Sequence, residues 1–309
     1  MCLNILFSEV PIRRWVTLQG KRNWVSSMLE INKIHQGDCL ELMKDIPDKS
    51  VDMILCDLPY GTTACKWDTI IPFDKLWEQY ERIIKDKGAI VLTASQPFTS
   101  ALIISNIKMF KYNWHWDKIK PSSFMNAKNA PMKKIEDVCV FSFGIIANGS
   151  GKLMKYNPQG LKICGKIRPP KNDSVPKQST IGKRPSRANS YKQEFTNYPT
   201  DYIKFTFETK PKHPTQKPVA LFEYLIKTYS DKRNLILDNC AGSGTTAIAS
   251  INTGRNWICI ELDKKYFEIA KKRIEEHSQQ STLLPLTENS KEDGIPPTIE
   301  IVGILPKRL

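Results

Sequence analysis

Paired cysteines, clustered histidines and long apolar runs are all missing from this 309-residue chain. Its eight cysteines, at 2, 39, 56, 65, 139, 164, 240 and 259, form no C-x-x-C pair, and its four histidines stand apart from them. Zinc sites and disulfide frameworks need tighter spacing, so the reading is a reduced chain without a structural metal. No apolar stretch approaches the roughly 20 residues of a membrane span. The N-terminal "MCLNILFSEVPIRRW" puts its apolar residues before its charges, the reverse of a secretory signal, so a cytoplasmic location is expected. Acid is also scarce: 32 Asp and Glu face 46 Lys and Arg, a formal +14 that points to a polyanionic partner. With 40% hydrophobic and 25% charged residues the composition is globular.

The chain falls into segments. Residues 1–27 fit no period and read as a dispensable arm. From 31 to about 144 strands alternate with helices, which argues a parallel α/β sheet. "VDMILCD" (51–57) is an apolar strand, and "FDKLWEQYERIIKDKG" (73–88) reads as an amphipathic helix closed by Gly88. "AIVLTAS", "YNWHW" and "VCVFSF" follow as strands. Residues 150–200 carry eleven Lys or Arg against Asp173 and Glu194 only, and their regular periodicity disappears. Such composition is commonly a solvated linker. Its position between ordered segments favours a phosphate-docking insertion instead, with Lys183, Arg184 and Arg187 as candidate phosphate contacts. The α/β pattern resumes at 211 and closes with a helix capped by Asp263; the tail beyond about 277 is assigned no chemistry.

Two loops carry the chemistry. "LILDNCAGSGTTAIAS" is strand, glycine turn and helix, and the next strand ends in Glu261, 23 positions after Asp238. Glycines there let the backbone approach a ligand, and an acid at the next strand end suits ribose hydroxyls. Gly242, Gly244 and Ala247 also satisfy the loose dinucleotide pattern, so a dehydrogenase stays open. A P-loop is excluded because no Lys follows the glycines, and the Asp238 carboxylate suits an amino group better than a phosphate. The second loop is "DLPYG" at the end of strand 51–57. If Asp57 and Asp238 end neighbouring strands, both loops open into one crevice at the switch point of the sheet. Asp57 and the Leu58 carbonyl would accept two N–H bonds, and Tyr60 would stack on a planar base. That set suits methyl transfer from S-adenosylmethionine to an exocyclic amine, without a metal, on a base flipped from its duplex. Taken singly the motifs are ambiguous: Asp38 could simply cap a helix, and Cys240, with no base nearby, reads as packing.

Together, "DLPYG", "NAKNAPMKKIEDVCVFS", "HPTQKPVALFEYLIKTYS" and "LILDNCAGSGTTAIASINTGRNWICIELDKKYFEIAKKRI" resemble the site-specific DNA amino-methyltransferases in their beta motif order. The resemblance covers about 31–144 and 198–276. It implies a Rossmann-like α/β methyltransferase domain over 28–276, mostly parallel in its sheet with helices on both faces, and target recognition in 145–210. It implies a catalytic set of Asp57, Leu58, Pro59 and Tyr60, with Leu58 where the family commonly has Pro. Cofactor residues implied are Gly37, Asp38 and Cys39 near the adenine, His213, Thr215, Gln216 and Lys217 with Lys217 beside the methionine end, and Asp238, Ala241, Gly242, Gly244, Thr245 and Glu261. Ile135 stands where the family commonly has His. The expected activity is N6 methylation of adenine in double-stranded DNA, with N4 methylation of cytosine or an idle DNA-binding relative as rivals. Whether the chain pairs with itself or with a cognate restriction endonuclease is left open by the sequence.

Overall fold

The computed structural model describes residues 28–62, 68–169, 190–207 and 216–283. The arm at 1–27, the three cations Lys183, Arg184 and Arg187, and His213 and Thr215 lie outside the described residues.

Strand β1 (Lys33–Gln36) and the short helix α1 (Cys39–Leu42) lead to β2 (Val51–Asp57), α2 (Phe73–Ile83), β3 (Ile84–Ala94) and α3 (Phe98–Ser105). Strands β4 (Phe110–Ser122) and β5 (Lys133–Phe141) form a hairpin. After β6 (Lys162–Arg168), β7 (Tyr191–Thr196) and β8 (Tyr202–Lys204) come α4 (Val219–Tyr229), β9 (Leu235–Asp238), α5 (Thr245–Thr253), β10 (Asn256–Glu261) and α6 (Lys264–Leu283). Eight of the strands make one sheet in the order β1-β10-β9-β2-β3-β5-β4-β8. The run from β1 to β3 is parallel throughout; β5 is antiparallel to both β3 and β4, and β8 is parallel to β4.

The period of two in β2 explains the layering. Ile54 and Cys56 face one core with Leu76, Tyr80 and Ile83 of α2, whereas Met53 and Leu55 face a second core with Leu221, Leu225 and Tyr229 of α4. Both faces are therefore covered by helices, as a parallel sheet requires. In α2, Leu76, Trp77, Tyr80 and Ile83 recur at helical spacing on the buried face. On the α4 side Tyr229 accepts a bond from Trp114 Nε1 at 2.5 Å and lies 3.0 Å from the Tyr112 hydroxyl, so its buried phenol is satisfied.

Three features differ from the sequence reading. Helix α2 stops at Ile83, and Ile84 pairs at once with Val51, so Gly88 lies inside β3 and not at a helix cap. A side chain at 88 would begin 2.7 Å from the Asp52 carbonyl, so this strand needs glycine where β2 passes. The basic segment is also not wholly irregular: β6 and β7 pair antiparallel, and β8 extends the main sheet. Finally, α6 continues to Leu283, past the expected tail boundary at 277. The other two helix ends follow the sequence, with Gly254 closing α5 at φ +70° and the Asp263 carboxylate accepting from the Lys265 and Tyr266 amides.

Candidate active site

Strands β9 and β2 are neighbours, with Met53 opposite Ile236 and Ile54 opposite Leu237. From that line β9 leads through α5 outward to β10, and β2 leads through α2 the other way to β3, so chain direction in the sheet diverges there. The loops after β9 and β2 consequently open side by side, at the position where open α/β sheets place ligands. A cavity of about 1030 Å³ fills the crevice, lined by Asp38, Asp57, Tyr60, Asp238, Gly242 and Glu261 among others.

On the β9 side the glycine turn is drawn tight by acids. Asp238 accepts from the Cys240 amide at 3.0 Å and from the Thr246 hydroxyl, so both its oxygens serve their own loop. Burial pushes its carboxyl up to about 6, against the pull of those donors. Glu261 accepts from the Gly242 amide at 2.7 Å and from the Asp263 amide at 2.9 Å, and burial likewise raises its pKa. Gly242 and Gly244 have φ of +53° and +78°, the left-handed region. A Cβ at Gly244 would stand 3.0 Å from Ile274 Cδ1, whereas one at Gly242 would meet nothing within 4 Å. Gly244 thus lets α6 pack closely, and Gly242 leaves backbone open to a ligand. Asp38 caps α1 through the Leu40 amide at 2.8 Å and lines the cavity as well. The Ala241 amide donates to the Ile260 carbonyl at 2.9 Å, and Thr245 begins α5.

On the β2 side Asp57 is the hub. One oxygen receives the Tyr60 hydroxyl at 2.7 Å and the Thr93 hydroxyl; Lys217 Nζ spans both oxygens at 2.8 and 2.9 Å. Lys217 reaches Glu136 Oε2 at 3.5 Å, and Lys118 holds Glu136 Oε1 at 3.1 Å. Asp57, Lys217, Glu136 and Lys118 therefore form a chain of alternating charge along the cavity wall. Burial would depress the Lys217 ammonium, but the Asp57 and Glu136 carboxylates outweigh it and raise its pKa. Burial and the same two carboxylates push the Tyr60 phenol well up. The Tyr60 ring stacks on Phe98 with centroids 5.1 Å apart, which fixes its plane. Leu58 is buried in the core and also lines the cavity. Beyond Pro59, Asp68 accepts from the Gly61 and Thr62 amides at 2.8 and 2.9 Å and pins the turn.

Lys217, implied to sit beside the methionine end of the cofactor, places its ammonium on Asp57, while neighbouring Gln216 accepts from the Ser243 hydroxyl of the glycine turn at 3.1 Å. Other residues went unread. Thr93 and Glu136 look like polar interruptions in strands. Arg273, on α6, donates to the Ser243 carbonyl at 3.0 Å and to the Thr245 hydroxyl at 3.2 Å, and Asn239 accepts from the Tyr80 hydroxyl at 2.5 Å. Only Glu136 had a visible signal, the "KKIED" motif. Cys39 and Cys240 both receive the Asn239 amide at 3.5 Å, a packing arrangement in keeping with the reading of Cys240.

The sequence profile of the N6/N4 DNA methylases matches residues 51–272, most of the chain. The chain belongs to this family. It is a DNA methyltransferase with the Rossmann-like α/β fold of such enzymes. Among its relatives, the type II methyltransferase M1.MboII of Moraxella bovis is 28% identical over 276 residues, covering 77% of this chain and 95% of that protein. The DNA adenine methyltransferase YhdJ of Escherichia coli K12 is 26% identical over 272 residues, covering 82% and 85%. Of solved structures, the PvuII cytosine-N4-specific DNA methyltransferase shares the fold with a TM-score of 0.53 at 14% identity, covering 80% of this chain and 91% of that one. The complex of M1.HpyAVI with SAM shares it with a TM-score of 0.51 at 24% identity, covering 78% and 98%. No helix among the described residues is long and apolar enough to cross a membrane.

Proposed function

We propose that this methyltransferase acts on the N6 amine of adenine in double-stranded DNA, with S-adenosylmethionine as donor, in the cytoplasm. The observation that carries the reading is that Asp57, Leu58 and Tyr60 line the same cavity as the Gly242 turn. The cavity suits S-adenosylmethionine: open backbone at Gly242, carboxylates at Asp38 and Glu261, and no phosphate-binding lysine on the turn. When bound, that cofactor supplies a methyl group on a sulfonium. Asp38 and Cys39, Gln216, and the turn with Ala241, Gly242, Gly244 and Thr245 form its seat, Glu261 receives ribose hydroxyls, and Asp238 holds the turn in shape.

The amine of adenine is a poor nucleophile because its lone pair is delocalised into the ring. Asp57 and the Leu58 carbonyl accept its two hydrogens, draw the nitrogen toward tetrahedral geometry and stabilise the positive charge that grows on it. Pro59 stiffens that turn, and Tyr60, already locked by Asp57, Thr93 and Phe98, offers its ring to the base. An ammonium sitting on Asp57 would oppose that charge. Among the described residues Glu136 Oε2 has no hydrogen-bond partner, and it lies 3.5 Å from Lys217 Nζ, a second seat to which the ammonium can lean as the amine arrives. Lys183, Arg184 and Arg187, in the 145–210 recognition region, are assigned to phosphates.

The test is direct. Incubation with unmethylated DNA and S-adenosylmethionine, digestion to nucleosides and mass spectrometry should yield N6-methyladenine and no 5-methylcytosine, with activity retained in EDTA. N4-methylcytosine as the sole product would overturn the adenine assignment while leaving the amine mechanism intact.

A further inference from the structure

Between Lys118 and Ile135 the chain holds five lysines, at 118, 120, 128, 133 and 134, and no acid. This is the tip of the β4–β5 hairpin, and its apolar residues point away from the protein: Phe124 is 79% exposed and Met125 93%. Large apolar side chains set fully in water are costly to keep unless they meet a partner. The tip is also braced. Ser123 enters it at φ +68°, a single 3₁₀ turn runs over Phe124–Asn126, and the Ala127 amide donates to the Phe124 carbonyl at 3.0 Å. The Asn129 and Ala130 amides both donate to the Asn126 carbonyl at 2.9 Å. At its base Lys118 Nζ bonds Ser122 Oγ at 3.1 Å, and that hydroxyl donates to the Lys133 carbonyl at 3.1 Å. The same Lys118 pairs with Glu136, so the tip is joined to the charge chain that ends on Asp57.

Its position gives the partner. Ser122, Ser123 and Lys133 line the cavity, and Phe124 and Met125 follow directly after Ser123 in the chain, beside the crevice. Apolar wedges flanked by cations are how proteins enter a DNA stack, with lysines on the phosphates and Phe or Met between bases. We propose that Phe124 and Met125 enter the duplex beside the target pair and occupy the stack position that the flipped base leaves, while Lys120, Lys128 and Lys134 hold the flanking phosphates. This rests on the reading of the cavity as the site of DNA base methylation.

The test uses the full chain and its F124A/M125A variant on a short duplex carrying a methylation site mapped for the wild type. The target base is placed opposite either its complement or an abasic site, where it is already unpaired. Because opening the target pair is the step the wedge supports, the variant should lose about tenfold or more in kcat on the paired duplex. On the abasic duplex it should return close to the wild-type rate, with unchanged affinity for S-adenosylmethionine. A variant as active as wild type on the paired duplex would overturn the proposal. So would an equal loss on both duplexes, which would mean that the tip supports the catalytic site and not the opening of the pair. A wild type that methylates no duplex would remove the reading underneath and the wedge with it.

Discussion

Replacing Lys217 by Met probes the centre of the charge chain. The side chain keeps its length and loses its ammonium, so the change is electrostatic. Lys217 is 6% exposed, with carboxylate oxygens of Asp57 at 2.8 Å and Glu136 at 3.5 Å. At an effective dielectric near 20 those two attractions are worth about 6 and about 5 kcal/mol before desolvation. Burying the ammonium costs several kcal/mol in return, and breaking buried pairs from one side usually destabilises by about 3–5 kcal/mol, because the remaining charge is left uncompensated. The four-membered chain is neutral with Lys217 and carries one excess negative charge without it. Loss of about 3 kcal/mol or more at pH 7 is therefore expected, read as a lower denaturant midpoint at unchanged slope. Adding Glu136→Gln removes the excess charge and should recover part of that loss, a coupling that only neighbouring groups show.

The pH dependence has a definite sign. A lysine whose folded pKa is raised contributes stability that is complete below its unfolded pKa and fades only as pH rises through the higher folded value. The Lys217 contribution should thus be full at neutral pH and weaken only above the ordinary 10.5. A variant with the wild-type midpoint at pH 7, or a deficit that Glu136→Gln does not touch, would refute the account of the chain as a coupled unit.

Two further substitutions test the two sides of the crevice. Asp57→Asn removes the charge from the amine acceptor and should cut methyl transfer by about 10²–10³, the cost of losing one positioned electrostatic partner, with cofactor affinity near wild type; near-normal turnover would displace Asp57 from its role. Asp238→Asn addresses a carboxyl held at about 6 by burial: its ionisation costs stability as pH rises from 3.8 to 6, so the wild type should lose stability over that window relative to the variant. Parallel pH–stability curves for the two proteins would show that Asp238 ionises without penalty.

What was legible in the sequence and what was not separate along a physical line. Apolar strands and the residues that end them depend on local pattern, so Asp57 and Asp238 were found, and their adjacency followed from the rule for open sheets. The end of α2 was not readable because Ile83 and Ile84 suit a helix face and a buried strand equally; pairing of Ile84 with Val51 decides it. The reversal at β5 leaves no mark in composition. The pairing of Asp57 with its partners was unreadable for a different reason. Thr93, Glu136 and Lys217 come from three distant segments, and Lys217 lies 160 positions from Asp57.

That distance has a consequence for how the site is assembled. Lys217 immediately precedes Pro218, which caps α4, and α4 fills the second core through Leu221, Leu225 and Tyr229. Glu136 is on β5 opposite the buried Trp116 of β4, two pairs from Val138, which lies opposite the buried Trp114. Asp57 ends the strand shared by both cores. The ionic chain thus closes only after β2, β5 and α4 have docked. Packing of apolar faces sets the distances, and the charges report whether that packing is right. A core substitution beneath α4 can accordingly reach Asp57 through Lys217.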